Sequence, residues 1–252
     1  MPLFSLTRRT YQPDQIMSIR VIALLVVVIA IIAAAHGSVP IIVSGGAGRR
    51  AAGNLCNKAE NQLKDGDVAG AKRTVDAALH SDPKFWPALY VRAKIFIRQG
   101  QYQLAIADCN EALRQYPGFV EASLLRASIS AHLGKHAEAL KEVNYLISMH
   151  PQRVTLGRAL KHRAWLQATC PDPAFRNGQQ AVKDAKAACS ISEWKDENAI
   201  DTLAAAYAET GDFNSAARCA AQALAIKGIA PVDSKRIQQH LALFERHQPI
   251  RS

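Results

Sequence analysis

Two hydrophobic regimes divide the chain. From Val21 to Ala35 the sequence is unbroken and apolar, VIALLVVVIAIIAAA, with Arg20 in front of it. The apolar character resumes at Val39-Pro40-Ile41-Ile42-Val43, and no Asp, Glu, Lys or Arg falls between Val21 and Val43. About 20 such residues cross a bilayer as a helix. Residues 21–43 are therefore expected to form a transmembrane anchor behind a basic segment at 1–20. The competing reading is a signal sequence cleaved after Ala33-x-Ala35, which would release the protein. Arg8, Arg9 and Arg20 precede the span, and Arg49 and Arg50 follow it. By a narrow margin this balance favours a cytoplasmic amino terminus at an inner membrane, with the remainder on the periplasmic side. Arg8-Arg9 lies too far from the apolar run to make a good twin-arginine signal. Residues 44–50, opening with Ser44-Gly45-Gly46-Ala47-Gly48, read as a flexible linker.

Beyond residue 50 the apolar positions come in short clusters separated by glycine and proline, and the pattern repeats. Pro83, Pro117 and Pro151 are 34 residues apart, and the same shift connects Gly66, Gly100 and Gly134. It also connects Ala59, Ala93 and Ala127, and Ala71, Ala105 and Ala139. Each feature has a physical role in a pair of helices. The first helix carries a small residue where the second crosses it, and a larger side chain there would force the two apart. Glycine ends the first helix in a left-handed conformation. The second helix opens two residues later and buries Ala78-Leu79, Ala112-Leu113 or Leu146-Ile147. Proline then closes the unit, because it cannot continue a helix and restricts the residue before it.

The strings AGNLCNKAENQLKDGDVAGAKRTVDAALHSDP, WPALYVRAKIFIRQGQYQLAIADCNEALRQYP and VEASLLRASISAHLGKHAEALKEVNYLISMHP resemble the tetratricopeptide repeat family. The large aromatic often found early in that family's first helix is replaced by Leu55, Leu89 and Ser123. A fifth unit fits through Ala204, Gly211 and Ala216. The fourth fits through Ala164 and Ala181 but carries about five extra residues between its helices, at 171–178. The expected repeats are 52–85, 86–119, 120–153, 156–192 and 197–228, an array over 51–228, and residues 233–247 read as an amphipathic capping helix. The resemblance implies an all-α, right-handed superhelical solenoid, a bacterial source and no catalytic activity.

It also implies that the first helices line a concave groove that holds a peptide of a partner protein. Counting from the small residue, the groove positions are Tyr90, Lys94 and Arg98; Leu124, Ser128 and His132; and Lys161, His162 and Trp165. Cations and amphipathic aromatics are common hot-spot residues, so an acidic or carboxylate-bearing segment is the expected ligand. The alternative is that these are ordinary solvated faces. The clamp with which family members grip chaperone tails is missing, because Cys56, Glu60, Val91, Glu121 and Leu125 occupy its places.

Composition refines this picture. Alanine dominates the apolar share and favours helix. The formal charge is +10, of which +4 lies in the first fifty residues, leaving +6 on the array. That excess permits nucleic-acid binding, but no rows of stacking aromatics accompany it and export opposes it. His132 and His136 lie four apart, but Gly134 breaks the helix between them, and no metal is expected. Cys170 and Cys189 are expected on the order of 15 Å apart by helical rise, beyond disulfide reach. No nucleophile elbow, phosphate loop or zinc motif is present, and no cofactor is expected. The function expected is a membrane-tethered interaction scaffold. The alternatives are an accessory subunit of a cell-envelope assembly or secretion complex and a helical-repeat nucleic-acid binder.

Overall fold

The computed structural model describes residues 47–149 and 152–251. The basic segment, the expected span at 21–43 and Pro151 lie outside the described residues. None of the described helices is long and apolar enough to cross a membrane. The described residues form two compact units, divided after Pro83.

The first unit holds one hairpin, α1 (Ala47–Lys64) and α2 (Val68–Ser81). The linker expected over 44–50 is therefore corrected at its end, where α1 has already begun at Ala47. Ala and Arg are strong helix formers, and Arg49 reaches Asp82 at 3.4 Å. Gly66 turns the chain with φ of 85°, and the Asp67 amide donates back to the Gln62 carbonyl at 2.8 Å. This is the six-to-one bond of a glycine helix stop. Asp67 then caps α2 by accepting from the Gly70 amide at 2.8 Å.

In the second unit four hairpins follow: α3 (Trp86–Arg98) with α4 (Tyr102–Gln115), α5 (Val120–His132) with α6 (His136–Ser148), α7 (Arg153–Thr169) with α8 (Gly178–Ile191), and α9 (Glu197–Glu209) with α10 (Phe213–Leu224). A single helix, α11 (Pro231–Glu245), ends the series. Each second helix packs on the next first helix, and the first helices α5, α7, α9 and α11 also touch in order. The stop at Gly66 recurs at Gly100, Gly134 and Gly211, all with positive φ. Both Pro83 and Pro117 stand exposed just beyond a helix end. Between α8 and α9 the same bond, Trp194 amide to Cys189 carbonyl at 2.8 Å, forms with Glu193 in the left-handed position at φ of 52°.

The ten small residues of the repeat pattern, Ala59, Ala71, Ala93, Ala105, Ala127, Ala139, Ala164, Ala181, Ala204 and Ala216, are all fully buried. Ala93 packs in one cluster with Ala105, Ala127 in another with Ala139, and the last four in a third. A polar ladder accompanies them. The arginine before the small residue grips an acid on its own second helix: Arg92 to Asp108 at 2.7 Å, Arg126 to Glu142 at 2.7 Å, and Arg163 to Asp184 at 2.6 Å. Arg126 and Arg163 also donate to Asn110 and Asn144 on the preceding repeat. Each thus joins one repeat to the one before it.

Three outcomes follow. Ala127→Leu overfills a closed contact and is expected to lower stability by about 1–3 kcal/mol, read as a lower urea midpoint. Arg163→Met leaves Asp184, whose side chain is 4% exposed, with the Gln180 amide but no countercharge, and the expected loss is about 3–5 kcal/mol. Removing the exposed Lys72–Asp76 pair should cost under about 1 kcal/mol.

Candidate functional site

The first helices of successive repeats lie side by side, so residues three and four apart on each share one surface. On that surface α5, α7, α9 and α11 line a half-open cavity of about 400 Å³, a size typical of ligand sites. Five positions expected from the sequence meet there: Ser128 and His132 from α5, and Lys161, His162 and Trp165 from α7. His136 enters from the start of α6, Asn198, Asp201 and Thr202 from α9, and Arg236 from α11.

The other four expected positions do not join them. Leu124 is corrected: at 4% exposure it belongs to the core with Ala127 and Val143. The count puts it on the groove, but apolar α5 turns that position inward. Tyr90 packs edge-on against Phe119 at 5.0 Å, with Lys94 Nζ 5.4 Å above its ring. Arg98 is exposed at the end of α3. None of these three lines the cavity.

The charges of the cavity are mostly compensated within the fold. Lys161 Nζ lies 2.7 Å from Asp196, which also caps α9 through the Asn198 and Ala199 amides. Arg236 donates through Nη1 to Asp233 at 2.8 Å and through Nη2 to Asn198 at 2.5 Å. Asp201 is 2% exposed, with both carboxylate oxygens 3.0 Å from Nδ1 of His240. The His240 ring lies 5.7 Å from Trp165. The three hydroxyls lining the cavity donate backwards along their own helices: Ser128 to the Leu124 carbonyl, Thr169 to Trp165 and Thr202 to Asn198. They are thereby committed as donors rather than set against the Asp201–His240 pair as nucleophiles.

Ser128 Oγ is 3.3 Å from His162 Nδ1. Since its own proton points to Leu124, Oγ accepts, which assigns the Nδ1–H tautomer to His162. Burial and the neighbouring Lys161 charge push this imidazole down to about 4, so it is neutral at physiological pH.

Of the cavity residues on α9 and α11, a count from the small residue reaches only Asp201. In the second and third repeats the expected groove positions lie three before, one after and five after the small residue. Applied to Ala204, that count gives Asp201, Ala205 and Glu209. Only α11 lacked a repeat signature to count from. Insert residue Phe175, in the short turn Pro173–Phe175, packs 5.7 Å from His136, which places the extra loop at the cavity rim. The five cysteines are free, and Cys170 and Cys189 are both buried.

His162 supplies a pH test. Its folded pKa lies below the ordinary 6.5, so the unfolded chain takes up this proton first as pH falls. Stability carried by the neutral ring is present above about 6.5 and is lost toward about 4, by at most about 1.4 kcal/mol per pH unit. Urea titrations between these limits should show a shallower decline for His162→Gln than for the natural chain.

Models of the tetratricopeptide repeat match residues 56–118 and 96–163. No curated protein matches the sequence. Among solved structures, the fold is similar to TTC0263, a thermophilic TPR protein of Thermus thermophilus, at 17% identity and a TM-score of 0.65 over 77% of this chain and 100% of that one. It is similar to pilF of Pseudomonas aeruginosa at 13% identity and a TM-score of 0.59, over 78% of this chain and 90% of that one. Against the APC/C hetero-tetramer Cut9–Hcn1 the identity is 17% and the TM-score 0.64, over 78% of this chain but only 36% of that one. At these identities the likeness is one of fold. Residues 56–163 thus carry tetratricopeptide-repeat sequence, and the chain's all-helical stack is similar in fold to those solved structures.

Proposed function

We propose that this protein is a membrane-tethered scaffold that holds an acidic segment of a partner protein in the cavity between α5, α7, α9 and α11. The observation that carries the reading is the convergence of Ser128, His132, Lys161, His162 and Trp165 on one cavity. Trp165 offers an apolar face, and Lys161 has three ammonium donors, one of which faces Asp196. The array's basic excess favours a ligand of opposite sign. The tether is residues 21–43, and the repeats stand outside the cytoplasm at an inner membrane. An accessory role in a cell-envelope assembly or secretion complex suits a scaffold placed there.

A peptide array probed with the full chain in detergent should favour Glu- and Asp-containing sequences. Lys161→Glu and Trp165→Ala should each weaken the best ligand by about 2 kcal/mol, roughly 30-fold. A preference for basic peptides, or equal binding by Lys161→Glu, would overturn the ligand class. Extraction of the chain from membranes by alkaline carbonate would overturn the tether.

A further inference from the structure

Beyond the cavity the same face of α9 carries Glu209, seven residues after Thr202 and therefore on the order of 10 Å further along the helix. By the repeat count it occupies the register of His132 in α5 and Thr169 in α7, both of which line the cavity. Glu209 is filled from two sides. Oε1 lies 2.9 Å from Arg176 Nε of the inserted loop, and Oε2 lies 2.8 Å from Arg251 Nη1, an ion pair without hydrogen-bond geometry, since Nη1 donates to the Ile250 carbonyl at 2.8 Å. Arg176 is itself fixed by donating through Nη1 to the Cys170 and Pro171 carbonyls, both at 3.0 Å. Arg251 Nη1 also faces the Ala168 carbonyl of α7 at 3.4 Å. Just before it Ile250 is 6% exposed, packed into the core of the last repeats. The chain reaches this place by a sharp reversal after α11, where His247 takes φ of 56° and stacks on Phe213 at 5.1 Å.

Residues 250–251 therefore sit on the groove as a ligand would, with an aliphatic side chain in a closed apolar slot and a guanidinium on a carboxylate 14% exposed at its side chain. We propose that this end of the groove is a second ligand subsite, selective for an aliphatic residue followed by arginine, and that Ile250–Arg251 occupies it in cis. The inference rests on the reading of α5, α7, α9 and α11 as the ligand-bearing face. A partner segment with that dipeptide competes with the chain's own. Because a tethered occupant acts at an effective concentration in the millimolar range, the site takes a partner segment readily only when residues 248–251 are displaced.

The test is fluorescence anisotropy with a labelled peptide Gln-Pro-Ile-Arg, using the full chain in detergent and two variants that free the subsite. One variant lacks residues 248–252; the other is Arg251→Glu, which sets a like charge against Glu209 and so releases Ile250–Arg251 while substituting no apolar residue. Both should bind the peptide at least about 10-fold tighter than the intact chain, and adding Glu209→Gln to either should abolish the gain. Equal binding by intact chain and Arg251→Glu, or a gain that survives Glu209→Gln, overturns the proposal. An acidic peptide is titrated in parallel. If it fails to bind any form while Gln-Pro-Ile-Arg binds the variants, the acidic-ligand reading falls and this subsite stands. The reverse pattern sinks the subsite alone.

Discussion

The distance between two helices in each repeat is set by a side chain that is hardly there. Ala93 with Ala105, Ala127 with Ala139, and the alanines of the last two hairpins bring their helices together with no exposed surface. Close-packed interiors transmit small changes in volume, so this spacing fixes the pitch at which one first helix follows another. The cavity is a consequence of that pitch. Its residues come from helices up to 108 positions apart in sequence, Ser128 to Arg236, and they meet because α5, α7, α9 and α11 are held side by side.

Apolar contacts of this kind do not specify register well, since one alanine packs much like another. The arginine ladder adds direction. Arg126 satisfies Glu142 within its repeat and Asn110 in the repeat before, and Arg163 does the same with Asp184 and Asn144. A hairpin shifted by one residue would bury these charges unpaired, at a cost of several kcal/mol. On the opposite side the groove follows a related logic. Arg158 bonds Glu121, Lys161 meets Asp196, and Arg236 and His240 hold Asp201. Each pair crosses from one first helix to its neighbour, or to the cap that starts it. Side chains fixed in this way lose little freedom when a ligand arrives, but the ligand must offer better geometry than the internal partner. On the proposed reading, such a groove favours selectivity over bulk attraction.

Much of this was legible in the sequence because it is periodic. Gly66, Gly100 and Gly134 recur at one interval, and each takes the left-handed conformation the turn requires. The site was legible in part, since a count from the small residue gives position on a helix but not what packs above it. Ser128 and Leu124 are four apart on α5, yet one faces the cavity and the other the core. Glu193 carries no turn signature, and its left-handed backbone is imposed by the bond from Trp194 to Cys189. The ladder was invisible for a different reason: arginine and its acid are 16 or 21 residues apart and change identity between repeats, Asp108, Glu142 and Asp184.

The end of the series shows how stability and site become one problem. A stack of hairpins leaves its last apolar face uncovered, and the sequence suggests that α11 covers it with a polar outer side. The helix does bury Ile237 and Phe244 against the last hairpin. It also continues the row of first helices, so the surface that would have been a plain outer face presents Arg236 and His240 to Asp201. Without α11, Asp201 would lose the imidazole and guanidinium beside it, and the cavity would lose a wall. The element that stops the array thus completes its site, and a substitution on α11 acts on both. Residues 246–251 extend the same double use, since one short segment seals the apolar end through Ile250 and neutralises Glu209 through Arg251. An array that gained another hairpin at this point would have a longer groove but no such stop.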